Sequence, residues 1–203
     1  MSIVQALADK HEAGELVHAA LKDIPESCCG ESELEVYDMD RYAHSLGGVI
    51  PATMDGAWAG ELRGKDYVVF IEMKSITKTI REFHFGKCAE EHRGRDPEET
   101  VSRCQAEFKA FVDQKISGWD FKAKMNGTQD LLNGMDAGLP SDLQSGAVAE
   151  RCFIACDLSS RDFLTYRDTF KDALERLKSK EWGVPMAVPC SKLNNEQTLR
   201  DLA

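Results

Sequence analysis

The chain is short of positive charge and of long apolar runs. Lysine and arginine total 25 against 35 aspartates and glutamates, a net charge of −10 over 203 residues. Tight, sequence-blind binders of nucleic acid carry a basic surface, so the overall balance weighs against that class. A local basic strip can coexist with an acidic remainder, and acids gathered round a divalent metal would add to the excess. Nothing reaches the roughly 18 consecutive apolar residues of a membrane span. "MSIVQALADKHEAGELVHAA" has neither a basic start nor a long apolar block. It reads as an amphipathic helix rather than a signal peptide, so a cytoplasmic protein without membrane contact is expected. The seven cysteines, Cys28, Cys29, Cys88, Cys104, Cys152, Cys156 and Cys190, include no CxxC pair. Their odd number and scatter argue against a secreted disulfide framework and for reduced thiols. Cys152 and Cys156 lie in an apolar run and read as small core residues.

The length suits a single domain over 1–203. Ile3, Leu7, Val17, Ala20 and Leu21 share a face if 3–21 is one helix. Rough alternation over 33–46 predicts a strand, ended by Gly47, Gly48 and Pro51. A glycine-weakened strand follows at 53–62, "RGKD" reads as a hairpin connection, and "YVVFIEMKS" is a strand. Asp96, Pro97, Glu98 and Glu99 are helix-start chemistry, followed by a stripe of Val101, Cys104, Phe108, Phe111 and Val112. Five glycines without sustained period make 117–149 an expected irregular insertion, with one short helical turn near Leu131. A strand at 151–158 precedes a helix with Phe163, Tyr166, Phe170, Leu174 and Leu177 on one face. The prolines of "VPMAVPC" predict a short edge strand. The sum is an α/β domain in the order helix, three strands, helix, strand, helix, with an antiparallel early sheet and a strand added through a helical crossover.

The chemistry gathers at the end of the "YVVFIEMKS" strand. Alternation puts Val68, Phe70, Glu72 and Lys74 on one side. Charges ending an apolar face are costly unless paired or bound to something. A carboxylate there suits a hard cation, and Mg²⁺ takes one or two protein carboxylates while keeping several waters. Lys74 could hold a metal-bound water or offset phosphate charge. A second carboxylate is found in Asp55. Pairing about a turn near 64–65 sets position 72 opposite about 57, with Asp55 diagonal to Glu72. Asp40 and Asp38 are rivals for the same role.

Asp55 in "PATMDGAW", followed by Glu72 and Lys74 in "VVFIEMKS", resembles the PD-(D/E)XK nuclease superfamily, although Pro51 stands four positions before the aspartate. The resemblance implies a restriction-endonuclease-like core, helix, three strands, helix, strand, in a mixed sheet flanked by helices. It implies a metal-dependent nuclease hydrolysing phosphodiester bonds. Asp55 and Glu72 would bind Mg²⁺ or Mn²⁺, and Lys74 would position the attacking water. Gln105 would be the polar residue facing the site from the following helix. The implied partner is nucleic acid, DNA ahead of RNA. The alternative is a non-catalytic nuclease-like module for binding or assembly, as a homodimer or with a basic protein partner.

Plainer readings stand beside these. Glu72 and Lys74 could be a surface pair near an unrelated turn aspartate. His84, Cys88 and His92, at i, i+4 and i+8, could ligate Zn²⁺ from one helical face, but Gly86 and polar neighbours favour a solvated helix or loop. Arg161 and Arg167 could form a phosphate-binding strip, or a solvated face. Lys74, Lys78, Arg81 and Lys87 are better placed for substrate. Trp58, Trp119 and Trp182 read as core or half-buried residues, any of which could stack on a base.

Overall fold

A computed structural model describes residues 3–47, 52–62, 64–135, 149–178 and 183–202. Six strands form one mixed sheet in the spatial order β1 (His18–Ala20), β2 (Glu35–Asp38), β3 (Gly56–Leu62), β4 (Lys65–Lys74), β5 (Ala149–Cys156) and β6 (Met186–Pro189). The first four pair antiparallel. β5 is parallel to β4 and β6 is parallel to β5. Parallel neighbours need a crossover. The first carries α3 (Ile76–Glu82), α4 (Phe85–Glu91), α5 (Pro97–Ser117) and α6 (Phe121–Met135), and the second carries α7 (Ser160–Glu175). The α/β class and the edge position of the proline-bounded strand agree with the expectations from sequence.

The remaining helices are α1 (Ile3–Glu12), α2 (Met39–Ser45) and α8 (Glu196–Leu202). Three expected elements differ. The helix expected over 3–21 ends at Glu12, and Gly14 then turns the chain with φ +75°, a conformation glycine adopts without a Cβ clash. His18–Ala20 is a strand. The strand expected over 33–46 stops at Asp38, whose carboxylate accepts the Arg41 N–H at 2.8 Å and caps α2. Within the expected irregular insertion, 121–135 is helical, with Phe121, Met125, Thr128 and Leu132 buried at i, i+4, i+7 and i+11. Positions 136–148 lie outside the described residues, as do Trp182 and the side chain of Phe163.

β4 and β5 are central and covered on both faces, so they read as nearly unbroken apolar runs. Val68 and Phe70 of β4 face Phe108 and Val112 of α5, Met125 of α6 and Phe170 and Leu174 of α7. Val69, Ile71 and Met73 face the other way, toward Leu21, Leu34, Trp58 and Leu199. The glycines of β3 reflect close packing rather than a weak strand. A Cβ on Gly60 would come within 2.6 Å of the Trp58 ring, and one on Gly56 within 2.8 Å of Val36. On α5 the buried stripe is Cys104, Phe108, Val112 and Ile116, whereas Val101 is exposed.

The expectation of reduced thiols is revised. Cys29 is bonded to Cys190 across 161 residues, and Cys88 to Cys104 across 16. Cys28, Cys152 and Cys156 are free. Among the described residues no helix is long and apolar enough to cross a membrane.

Candidate metal centre at the end of strand β4

The β3–β4 ladder begins at Gly56 opposite Ile71. Continuing that register by one residue sets Asp55 directly opposite Glu72, rather than diagonal to it. Residues 65 and 66 belong to β4, so the connection is only two residues, with Gly64 at φ +76°. Asp55 bonds to the end of β4 through its side chain, Oδ2 accepting the Met73 N–H at 2.5 Å.

Glu72 is wholly buried on the face that carries Val68 and Phe70. Its Oε1 lies 2.6 Å from Lys74 Nζ and 2.8 Å from Lys124 Nζ. Its Oε2 has no hydrogen-bond partner among the described residues. Lys124 Nζ also reaches Asp55 Oδ1, at 3.5 Å. One ammonium therefore touches the carboxylates of both expected metal ligands. Lys74 Nζ lies 5.9 Å from the centre of the Trp119 ring, within cation–π range.

These surroundings alter proton affinities. Burial first, then the Glu72 charge, push Asp55 up to about 6, although Lys124, the Met73 N–H and Lys74 act the other way. For Lys124, burial is the largest influence and lowers its affinity for a proton. The charges of Asp55 and Glu72 more than offset that, and the net direction is upward. The Cys152 thiol, also held against this face, is raised well above its usual range by burial and then by Glu72.

Helix α6 is docked by Thr128. The Met54 N–H donates to Thr128 Oγ1 at 2.8 Å, and the hydroxyl donates to the Lys124 carbonyl at 2.9 Å. That pair ties the turn bearing Lys124 to the residue before Asp55. No expectation from sequence included Lys124. The buried i, i+4, i+7, i+11 series of α6 was the available signal, and Gly127 and Gly134 interrupt it for propensity-based reading.

The other expected residues fall elsewhere. Asp38 is engaged as the α2 cap. Asp40 accepts the Thr53 hydroxyl and contributes to the field at Lys124, but Asp55 makes the direct contact. Gln105 is exposed on α5 and lines a separate cleft with Phe85, Phe108 and Tyr166. The helical residue at the site is Lys124 of α6, not Gln105. Lys78, Arg81 and Lys87 are exposed on α3 and α4, with Lys87 3.8 Å from Glu91. Arg161 is exposed, as is Arg167, which pairs with Asp168 at 3.1 Å. His84 precedes α4 and is exposed, while Cys88 and His92 gather with Glu107 instead.

No known family model, curated protein or solved structure matches the chain.

Proposed function

We propose that the chain is a metal-dependent nuclease, built on a restriction-endonuclease-like core of α1, β2, β3, β4, α5 and β5. The carrying observation is the meeting of the Asp55 and Glu72 carboxylates at a single cationic group, with Lys74 on the same glutamate. Acids from the residue preceding β3 and from the end of β4, the latter wholly buried and with an unpartnered oxygen, form a hard-oxygen donor set suited to Mg²⁺ or Mn²⁺. When bound, such an ion would polarise the phosphodiester and make its water more acidic. Lys74 is a donor-only ammonium, 5.9 Å from the centre of the Trp119 ring, that would orient the attacking water. Lys124, whose ammonium contacts both carboxylates, would supply a further positive charge beside the substrate phosphate. The exposed cations Lys78 and Arg81 on α3 follow β4 directly and would contact the substrate backbone. DNA is the first substrate to test, and a net charge of −10 makes a basic partner a useful addition to that assay.

A second reading has one observation in its favour. Lys124 and Lys74 already offset the buried Glu72 charge, so the acids could serve a non-catalytic binding or assembly module without an ion. Calorimetric titration with Mn²⁺, paired with cleavage of labelled DNA and RNA, separates the two. The nuclease reading expects wild-type binding and cleavage, both lost in Glu72→Ala with the fold retained. Absence of Mn²⁺ binding in wild type and in Lys124→Ala would overturn it.

A further inference from the structure

A second donor set lies between α4 and α5, in a different part of the fold from Asp55 and Glu72. Cys88 is the only buried residue of α4, and His92 follows one turn later at the end of that helix. Cys104 and Glu107 are three residues apart on α5 and so share a face. The ligand atoms of Cys88, His92 and Glu107 all lie within 4.8 Å of one another. His92 Nε2 is 2.7 Å from Glu107 Oε1, and Cys88 Sγ is 3.3 Å from Glu107 Oε2. Cys104 Sγ is bonded to Cys88 Sγ, so a further sulfur adjoins that three-residue cluster without belonging to it.

We propose that, in the reduced chain, Cys88, His92, Cys104 and Glu107 hold one structural Zn²⁺ that clips α4 to α5. The donor chemistry is the reason for zinc. Two thiolates, one imidazole and one carboxylate make a four-coordinate set of the kind Zn²⁺ takes, softer than the all-oxygen set at β4. With Zn–S about 2.3 Å and Zn–N about 2.0 Å, tetrahedral donors lie roughly 3.3–3.8 Å apart. The Cys88–Glu107 contact, at 3.3 Å, is already at the edge of that range. His92 and Glu107, now 2.7 Å apart, would have to part by about 0.6 Å, and the Cys104 sulfur would have to leave Cys88 and turn toward them. The packing supplies a need. A seven-residue helix has too few internal hydrogen bonds to persist alone, and α4 buries only Cys88. A cross-link to α5 fixes it, either as the disulfide or as the metal.

The two states interconvert by a balanced exchange. A dithiol reductant passes two electrons and two protons to the Cys88–Cys104 bond and is itself oxidised to a disulfide. Zn²⁺ then binds as the two thiol protons leave to solvent. The proposal is independent of the nuclease reading.

The test uses the full chain, reduced with a phosphine, freed of reductant without air and titrated with Co²⁺ as the spectroscopic probe. One equivalent should produce thiolate-to-cobalt charge transfer together with the visible bands of tetrahedral Co²⁺, and Zn²⁺ should displace it. Cys104→Ser and His92→Ala should each weaken binding by at least about tenfold. Glu107 is exposed, so Glu107→Ala keeps the fold and should weaken binding as well. Cys29→Ser and Glu72→Ala should leave the bands unchanged, and the oxidised chain should give none. A reduced wild type without tetrahedral bands overturns the proposal. So do bands that survive Cys104→Ser but vanish in Cys29→Ser, which would assign the metal to the cysteines around Cys190.

Discussion

Lys124 Nζ sits 2.8 Å from Glu72 Oε1 and 3.5 Å from Asp55 Oδ1, so one ammonium from α6 bridges acids on two paired segments of the sheet. A metal ion bridging those acids would have to displace it. Lys124→Ala should therefore tighten Mn²⁺ binding, by about tenfold if the displacement costs about 1.4 kcal/mol. The same change should lower stability in chelator by about 1–3 kcal/mol, because the wholly buried Glu72 is left with Lys74 alone. Calorimetry with Mn²⁺ and urea denaturation in EDTA check the two effects, which have opposite signs.

Asp55 should make folding pH-dependent. Its folded affinity for a proton is raised to about 6 from 3.8, so between those values the folded state holds more protons than the unfolded one. Stability therefore falls as pH rises through the window, and the cost is complete above about 6. A shift of this size corresponds to at most about 3 kcal/mol. Asp55→Asn keeps an oxygen able to accept the Met73 N–H and removes the buried charge. In EDTA at pH 7.5 the variant should melt higher than wild type, with the gain fading as pH drops through 6 toward 4. On the nuclease proposal, the variant should also show no DNA cleavage at any pH. Melting curves across that range check the sign, and an unchanged difference at pH 4 and 7.5 would contradict it.

Much of this site could be read from the sequence because strand alternation is a local property. Val68, Phe70, Glu72 and Lys74 share a face wherever the strand sits, and Asp55 lay near enough to be chosen. The observed register differs by two residues from the expected one, because Lys65 and Asp66 pair within β4 instead of forming the turn. Lys124 was beyond reach for a different reason. It meets Glu72 only because Thr128 pins α6 to Met54, a tertiary contact 74 residues apart in sequence. Gln105 comes only from the resemblance, which asks for a polar residue on the following helix, and on α5 that residue is exposed in a separate cleft. The α/β class survived these errors because it rests on the order of elements. The parallel placement of β6 and the extra strand β1 rest on long-range pairing that no local pattern encodes.

Thr128 should be the residue that keeps α6 in place. It is completely buried, and its hydroxyl oxygen accepts the Met54 N–H. Thr128→Val preserves shape but leaves that backbone donor unpaired in the core, at a cost of about 1–3 kcal/mol. Thr128→Ser keeps the oxygen and should cost less. If the helix loosens, Lys124 loses its aim and the Mn²⁺ affinity of Thr128→Val should differ from wild type, while that of Thr128→Ser should not. Urea midpoints for the pair, followed by titration, test the order of effects.

The Cys29–Cys190 bond closes a loop spanning 161 positions, from the segment before β2 to the end of β6. In the chain-entropy account a loop of that length restrains the unfolded ensemble by about 5 kcal/mol. Neighbouring Cys28 has its sulfur 4.0 Å from that of Cys190, close enough for exchange in principle. Burial, and then the charge of Asp157, push its thiol up to about 12, so it holds almost no thiolate at neutral pH and exchange should be slow. Two results are expected. The Cys29→Ser, Cys190→Ser double variant should unfold at clearly lower urea than the oxidised wild type, by several kcal/mol. Oxidised wild type should keep its Cys29–Cys190 linkage in peptide mapping after incubation at pH 7.5, with no Cys28–Cys190 product. Appearance of that product would show that Cys28 is more reactive than its burial allows.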